Sequence, residues 1–196
     1  GQSGSNLSAL LKTASDVSRL PDQCFDDYQL KIVNTEDSTA DDYYVKFETN
    51  GSGTFAEGLW VETVAPEIKY KLDPTTLPVI LVRQANSTWQ VKHADGVVPT
   101  GNTHGDIDWA SFKFADRTAG SELTNPLPSF VDKKISDMNY FKGRLVFLSG
   151  ENCSLSETGE IFNFFRTTVT QLPDTAPIAV GVGGRSINTL KRSQPF

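Results

Sequence analysis

The sequence is poor in the residues that carry most protein chemistry. Its 196 residues include only two cysteines, two histidines and one methionine. Two cysteines, Cys24 and Cys153, do not make a disulfide framework in a chain this long, so a free buried thiol is expected at each. No apolar run approaches the ~20 residues that a membrane-spanning helix needs. No charged start followed by an apolar stretch marks a signal peptide. Basic residues are also scarce where they would matter. The net charge is -6, and the one basic cluster is Arg185, Lys191 and Arg192. A chain that grips a polyanion needs a basic stripe, so specific nucleic-acid binding is excluded. There is no tandem repeat and no low-complexity tract.

What remains is enough to fold. Apolar residues make up 38% of the chain and charged residues 21%, with twelve Phe, five Tyr and three Trp to anchor an interior. The length allows one medium domain or two small ones. The opening Gly1-Gln2-Ser3-Gly4-Ser5 reads equally as an expression scar or a native linker. The abrupt stop at Pro195-Phe196 suggests a piece of something longer.

Leu7, Leu10, Leu11, Ala14 and Val17 recur at helical spacing, with Ser5 or Asn6 to cap and Pro21 to block. They predict a short amphipathic helix over Ser8 to Ser18. Strand patterns follow. Tyr28 to Ile32, Tyr43 to Glu48, Leu59 to Val64, Val79 to Gln84 and Trp89 to His93 alternate or run apolar, with turn residues at Asn50-Gly51-Ser52-Gly53 and Asn86-Ser87. The stretch Asp95 to Glu122 is a long excursion with one short strand expected at Ser111 to Phe114. Asn125-Pro126-Leu127-Pro128 stiffens the chain and marks a boundary. Beyond it, Met138 to Phe141, Arg144 to Ser149, Cys153 to Ser156 and Pro177 to Val182 are expected strands. Ile161 to Phe165 is expected as a strand or helical turn. The fold class is mainly β, a β-rich α+β arrangement of antiparallel sheets with a short N-terminal helix. The expected division is a linker and helix over 1–20, a β subdomain over 21–124 and a second β region over 125–196. Three short strands with tight turns suit a fragment of a β-propeller blade in that last part.

A search for chemistry returns little. His104, Asp106 and Asp108 lack a fourth ligand for a zinc-type site. His93 ends an amphipathic strand and is expected at the surface. The acid pairs Asp26-Asp27 and Asp41-Asp42, with Glu36 and Asp37, fit solvated turns better than a glycosidase pair. No Gly-x-Ser-x-Gly elbow exists, and neither cysteine has a histidine nearby. Gly181-Val182-Gly183-Gly184 lacks the ending of a phosphate loop. No catalytic residue, metal site or cofactor is expected. The rival from another class is a glycan-binding or glycan-degrading module, in which Trp60, Trp89 and Trp109 stack on sugars beside Glu62.

Several strings taken in order are more specific. These are Asp41-Asp42-Tyr43-Tyr44-Val45, Asn125-Pro126-Leu127-Pro128-Ser129-Phe130-Val131 and Arg144-Leu145-Val146-Phe147-Leu148-Ser149-Gly150-Glu151-Asn152. From about Val17 onward the chain resembles the tail tubular protein B family, the nozzle proteins of short-tailed bacteriophages. The resemblance implies a structural role in the virion tail and a longer parent protein assembled as a hexameric ring. It implies as partners the adaptor ring (tail tubular protein A) and tail fibres. DNA would leave the head through the ring's channel without specific binding, which suits an acidic wall. The family offers no catalytic residues. Candidate contact surfaces are the Leu7, Leu10, Leu11 stripe and the loop Gly96 to Ser111, with His104 and Trp109.

Overall fold

The computed structural model describes residues 12–33, 42–51, 53–100, 107–183 and 189–194. The described chain is β-rich and its sheets are antiparallel apart from one short edge pair. It divides into two compact units that interleave along the sequence. The first comprises Gly1–Ile68, Arg117–Pro126 and Arg166–Leu172; the second comprises Lys69–Asp116, Leu127–Phe165 and Pro173–Phe196.

The first unit is built on β1 (Thr13–Ala14), β2 (Gln23–Phe25), β3 (Gln29–Ile32), β4 (Tyr43–Thr49) and β5 (Phe55–Thr63). Their order across the sheet is β1-β3-β4-β5-β2. Period-two alternation sets the register. Leu30 lies opposite Val45, and Leu30, Ile32 and Val45 form the buried cluster, with Trp60 packed against it. Trp60 makes edge contacts with Phe47 at 5.1 Å and Tyr28 at 6.4 Å, and its Nε1 donates to the Pro21 carbonyl at 2.8 Å. Strand β5 serves two neighbours: Gly58 to Thr63 pair with β4, and Phe55 to Glu57 pair with β2. Gly58 sits at the changeover. A Cβ there would lie 2.1 Å from the Glu48 carbonyl oxygen, so only glycine admits the close approach.

Hydrogen bonds bring the later segments into this unit. The Glu62 carboxylate accepts from Thr168 Oγ1 at 2.6 Å and Val169 N–H at 2.7 Å. Asn125 Nδ2 donates to the Ala119 and Arg166 carbonyls, both at 2.9 Å, and Arg166 N–H donates back to Asn125 Oδ1 at 3.0 Å. Asn125 is buried, so these bonds satisfy an amide that water cannot reach. Arg117, also buried, donates twice to Glu122.

The second unit holds a hairpin of β6 (Val79–Arg83) and β7 (Trp89–His93). It also holds a four-stranded sheet of β8 (Asp137–Phe141), β9 (Arg144–Ser149), β10 (Asn152–Leu155) and β11 (Ile178–Gly181), in the order β11-β10-β9-β8. Strand β9 is buried on both faces, as the double apolar pattern of Leu145 to Leu148 requires. The core is aromatic. Phe130, Phe147 and Phe164 form a triangle with centroids 4.9, 4.9 and 5.3 Å apart. Arg144 is buried and donates to the carbonyls of Ser156 at 2.6 Å, Ala176 at 2.7 Å and Asp174 at 3.0 Å. It thereby ties the segment before β11 to the strand turn. Lys142 and Gly143 both take positive φ in the β8–β9 hairpin, as a tight primed turn demands.

Some expectations need correction. Where the proposed Ser8 to Ser18 helix falls on described residues, the chain is a short strand followed by a 3-10 turn at Val17–Arg19. The β3 edge captures it: Lys31 N–H donates to the Lys12 carbonyl and Val33 N–H to the Ala14 carbonyl. The rest of that segment lies outside the described residues. Ser111 to Phe114 is not a strand; Trp109–Ser111 is a 3-10 turn capped by the Asp108 carboxylate on Ala110 N–H. Ile161 to Phe165 is neither strand nor helix, and it contributes rings rather than a ladder.

Candidate interaction surfaces

The exposed faces of the sheets carry apolar side chains in rows. In the β6–β7 hairpin, Ile80 and Val82 turn inward, which leaves Val79, Leu81, Trp89 and Val91 on the outer face. Leu81 lies directly opposite Val91 and Arg83 opposite Trp89, so the four apolar side chains are neighbours rather than scattered. Trp89 and Val91 are 59% and 62% exposed. Single exposed apolar residues are ordinary, but a contiguous row on a rigid sheet marks a surface that meets something. At the edge of the other sheet, β11 is exposed at every residue, with Ile178 and Val180 on one face. An apolar trough of about 550 Å³ runs along β6, with Phe112, Phe114, Phe147 and Phe162 among its lining residues. In the first unit, Phe25 and Phe55 pair edge to face at 5.0 Å on an exposed sheet end, with Leu59 and Val61 further along β5.

The residues singled out in the sequence have different fates. Leu7, Leu10, Leu11 and His104 lie outside the described residues. Trp109 is 2% exposed and packs on Phe112 with ring centroids 6.1 Å apart. Its Nε1 has no hydrogen-bond partner among the described residues. His93 is half-buried rather than superficial, and its buried Nδ1 likewise has no partner among the described residues. Asp42 is not a solvated turn residue: it is buried and forms an ion pair with Lys31 at 2.6 Å. That hydrogen bond raises the Lys31 ammonium above the ordinary lysine range. Trp60 and Glu62, the suggested sugar platform and acid, are committed to the Pro21, Thr168 and Val169 bonds described above. Burial pushes the Cys153 thiol up, away from the reactive thiolate. Among the described residues there is no group of three or more His, Cys, Asp or Glu placed to hold a metal ion. No described helix is long and apolar enough to cross a membrane. Sequence reasoning missed the β6–β7 outer face as a surface. Its signal was present in the alternation of Val79 and Leu81 with Ile80 and Val82, and of Trp89 and Val91 with Gln90 and Lys92.

These features define a β-rich structural module whose distinctive surfaces are apolar sheet faces. The chain is matched over residues 1–196 by the family model of the bacteriophage nozzle protein, and it belongs to that family. It is similar to the tail tubular protein gp12 of Escherichia phage T7, with 33% identity over 183 residues. That match covers 93% of this chain and 20% of the relative, so the chain spans about a fifth of the relative's length. Membership makes it a structural protein of the phage virion tail.

Proposed function

We propose that this chain is part of the tail nozzle: one segment of a hexameric ring that extends the DNA-ejection channel below the adaptor ring. The family match along the whole chain carries this reading. The contiguous apolar faces support it, because a closed ring needs two different complementary patches on each subunit. The net charge of -6 supports a channel through which DNA passes without adhering. The role is structural, with no catalytic step. The adaptor ring and tail fibres are its partners. The Leu7, Leu10, Leu11 stripe and the Gly96 to Ser111 loop, with His104 and Trp109, are contact surfaces. The β6–β7 outer face is a further contact. The β8–β11 sheet, a four-stranded antiparallel meander, is one blade of a propeller that needs more chain to close.

Light scattering tests the assembly. This chain alone should be monomeric or weakly associated at micromolar concentration, because it holds only part of each patch. The whole-length family protein, mixed with its adaptor ring, should give the mass of a ring. A stable hexamer from this chain alone refutes the split-interface argument. A monomeric whole-length protein beside its adaptor refutes the nozzle reading.

A further inference from the structure

The turn between β4 and β5 contains Asn50-Gly51. Asparagine followed by glycine is the pair most open to intramolecular attack, because no side chain on the second residue hinders the backbone nitrogen. The backbone of the pair is held, Asn50 N–H donating to the Glu57 carbonyl and the Gly51 carbonyl accepting from Thr49 Oγ1 at 3.2 Å, but the Asn50 side chain is left free to react. Asn50 is exposed, and its side chain makes no hydrogen bond among the described residues. A Cβ built on Gly51 would meet nothing within 4 Å. Three other described asparagines are held by hydrogen bonds. Asn86, also followed by a small residue, accepts from Thr88 N–H at 3.0 Å and Thr88 Oγ1 at 2.6 Å. Asn163 is held on both sides, donating to Glu157 at 2.6 Å and accepting from Phe165 N–H at 3.0 Å. Asn125 is buried and triply bonded.

We propose that Asn50-Gly51 is a self-modifying site, the first position at which the folded chain deamidates and isomerises. The Gly51 backbone nitrogen, having lost its proton to solvent base, attacks Asn50 Cγ. The N–Cγ bond forms as the Cγ–Nδ2 bond breaks, and Nδ2 takes up a proton and leaves as ammonia. One water then opens the cyclic imide at either carbonyl, giving aspartate or isoaspartate. The reaction needs only water and base. It adds a negative charge beside Asp26, whose carboxylate already accepts from Thr49 N–H at 3.0 Å. In the isoaspartate product the main chain runs through the Cβ of residue 50 and so gains a methylene within that residue, whose N–H donates to the Glu57 carbonyl at 2.8 Å. A protein built into a virion is not resynthesised, so the product accumulates with particle age.

Peptide mapping by mass spectrometry, with isoaspartate assayed separately, tests this on the full chain kept folded at mildly alkaline pH. The Asn50 peptide should convert first, at a rate close to that of the chain unfolded in denaturant. Peptides holding Asn86, Asn125 and Asn163 should convert far more slowly folded than unfolded. Gly51→Ala should slow conversion severalfold without disturbing the fold, because its Cβ enters open space at an ordinary φ. The proposal is overturned if Asn50 survives in the folded chain while the unfolded chain converts there. It is equally overturned if Gly51→Ala converts at the unmodified rate.

Discussion

Truncation of Phe147 to alanine tests the second unit's core directly. The ring is 1% exposed on the central strand β9. It stacks on Phe164 at 5.3 Å with an interplanar angle of 10°, and meets Phe130 edge-on at 4.9 Å. Removing a fully buried phenylalanine forfeits its transfer free energy and leaves a cavity, together about 3–5 kcal/mol. The two aromatic contacts place the expected loss in the upper part of that range, since each such pair contributes roughly 0.5–1.5 kcal/mol beyond area. Collapse of the site is hindered because Arg144, three residues earlier, is pinned to three carbonyls. The chain has two compact units, so unfolding should be followed by hydrogen exchange at β9 as well as by guanidinium titration. The β9 amides should lose protection by that amount. A loss below about 1 kcal/mol would mean that the aromatic triangle is not the unit's core.

Three further outcomes are expected. Gly58→Ala should destabilise the first unit by about 1–3 kcal/mol, because the new methyl overlaps the Glu48 carbonyl; an unchanged denaturation midpoint would show that the β5 changeover relaxes freely. Ser87→Gly should stabilise the β6–β7 hairpin by up to about 1 kcal/mol, since Ser87 sits at φ 67 where glycine is unstrained; a destabilised variant would refute that reading of the turn. Acid should weaken the fold. Thr49 N–H holds the Asp26 carboxyl below the ordinary aspartate range, and Ser193 N–H does the same for Asp137. Because these folded-state values are depressed, the unfolded chain binds protons first. Their contribution is present above the unfolded aspartate value of about 3.9 and is lost as pH falls through the folded values. The thermal midpoint should drop with falling pH over that window, and Asp26→Asn should flatten the slope; a wild-type slope in that variant would contradict the assignment.

The strands of both units were legible because alternation survives wherever one face is buried, as in Tyr43 to Glu48. The double-sided burial of β9 was legible from its unbroken apolar run. Lys142-Gly143 and Asn86-Ser87 announced their turns through the turn-favouring Gly143 and Asn86, although Lys142 and Ser87 also take positive φ. What was lost is tertiary. Thr13 and Ala14 sit in a helical pattern, yet an open β3 edge offers backbone partners that a local pattern cannot reveal. Strand β2 is three residues long and exists because β5 overruns β4. The interleaving of the units rests on Glu62 and Asn125 reaching across more than 40 residues. Trp109 was singled out for its residue type, whereas its packing beside Phe112 in a capped 3-10 turn is a tertiary detail that no local pattern shows. The alternation of Val79 and Leu81 and of Trp89 and Val91 hinted at the β6–β7 face, but only the pairing register joins them into one row by placing Leu81 against Val91.

A cryo-electron-microscopy map of the intact tail, resolved to side chains, tests the central claim most directly. The density for this sequence should lie in the nozzle ring below the adaptor, repeated around the tail axis. The outer face of Val79, Leu81, Trp89 and Val91 should be covered by neighbouring protein. Density for this sequence outside the ring, as a single copy or on a peripheral appendage, would contradict it.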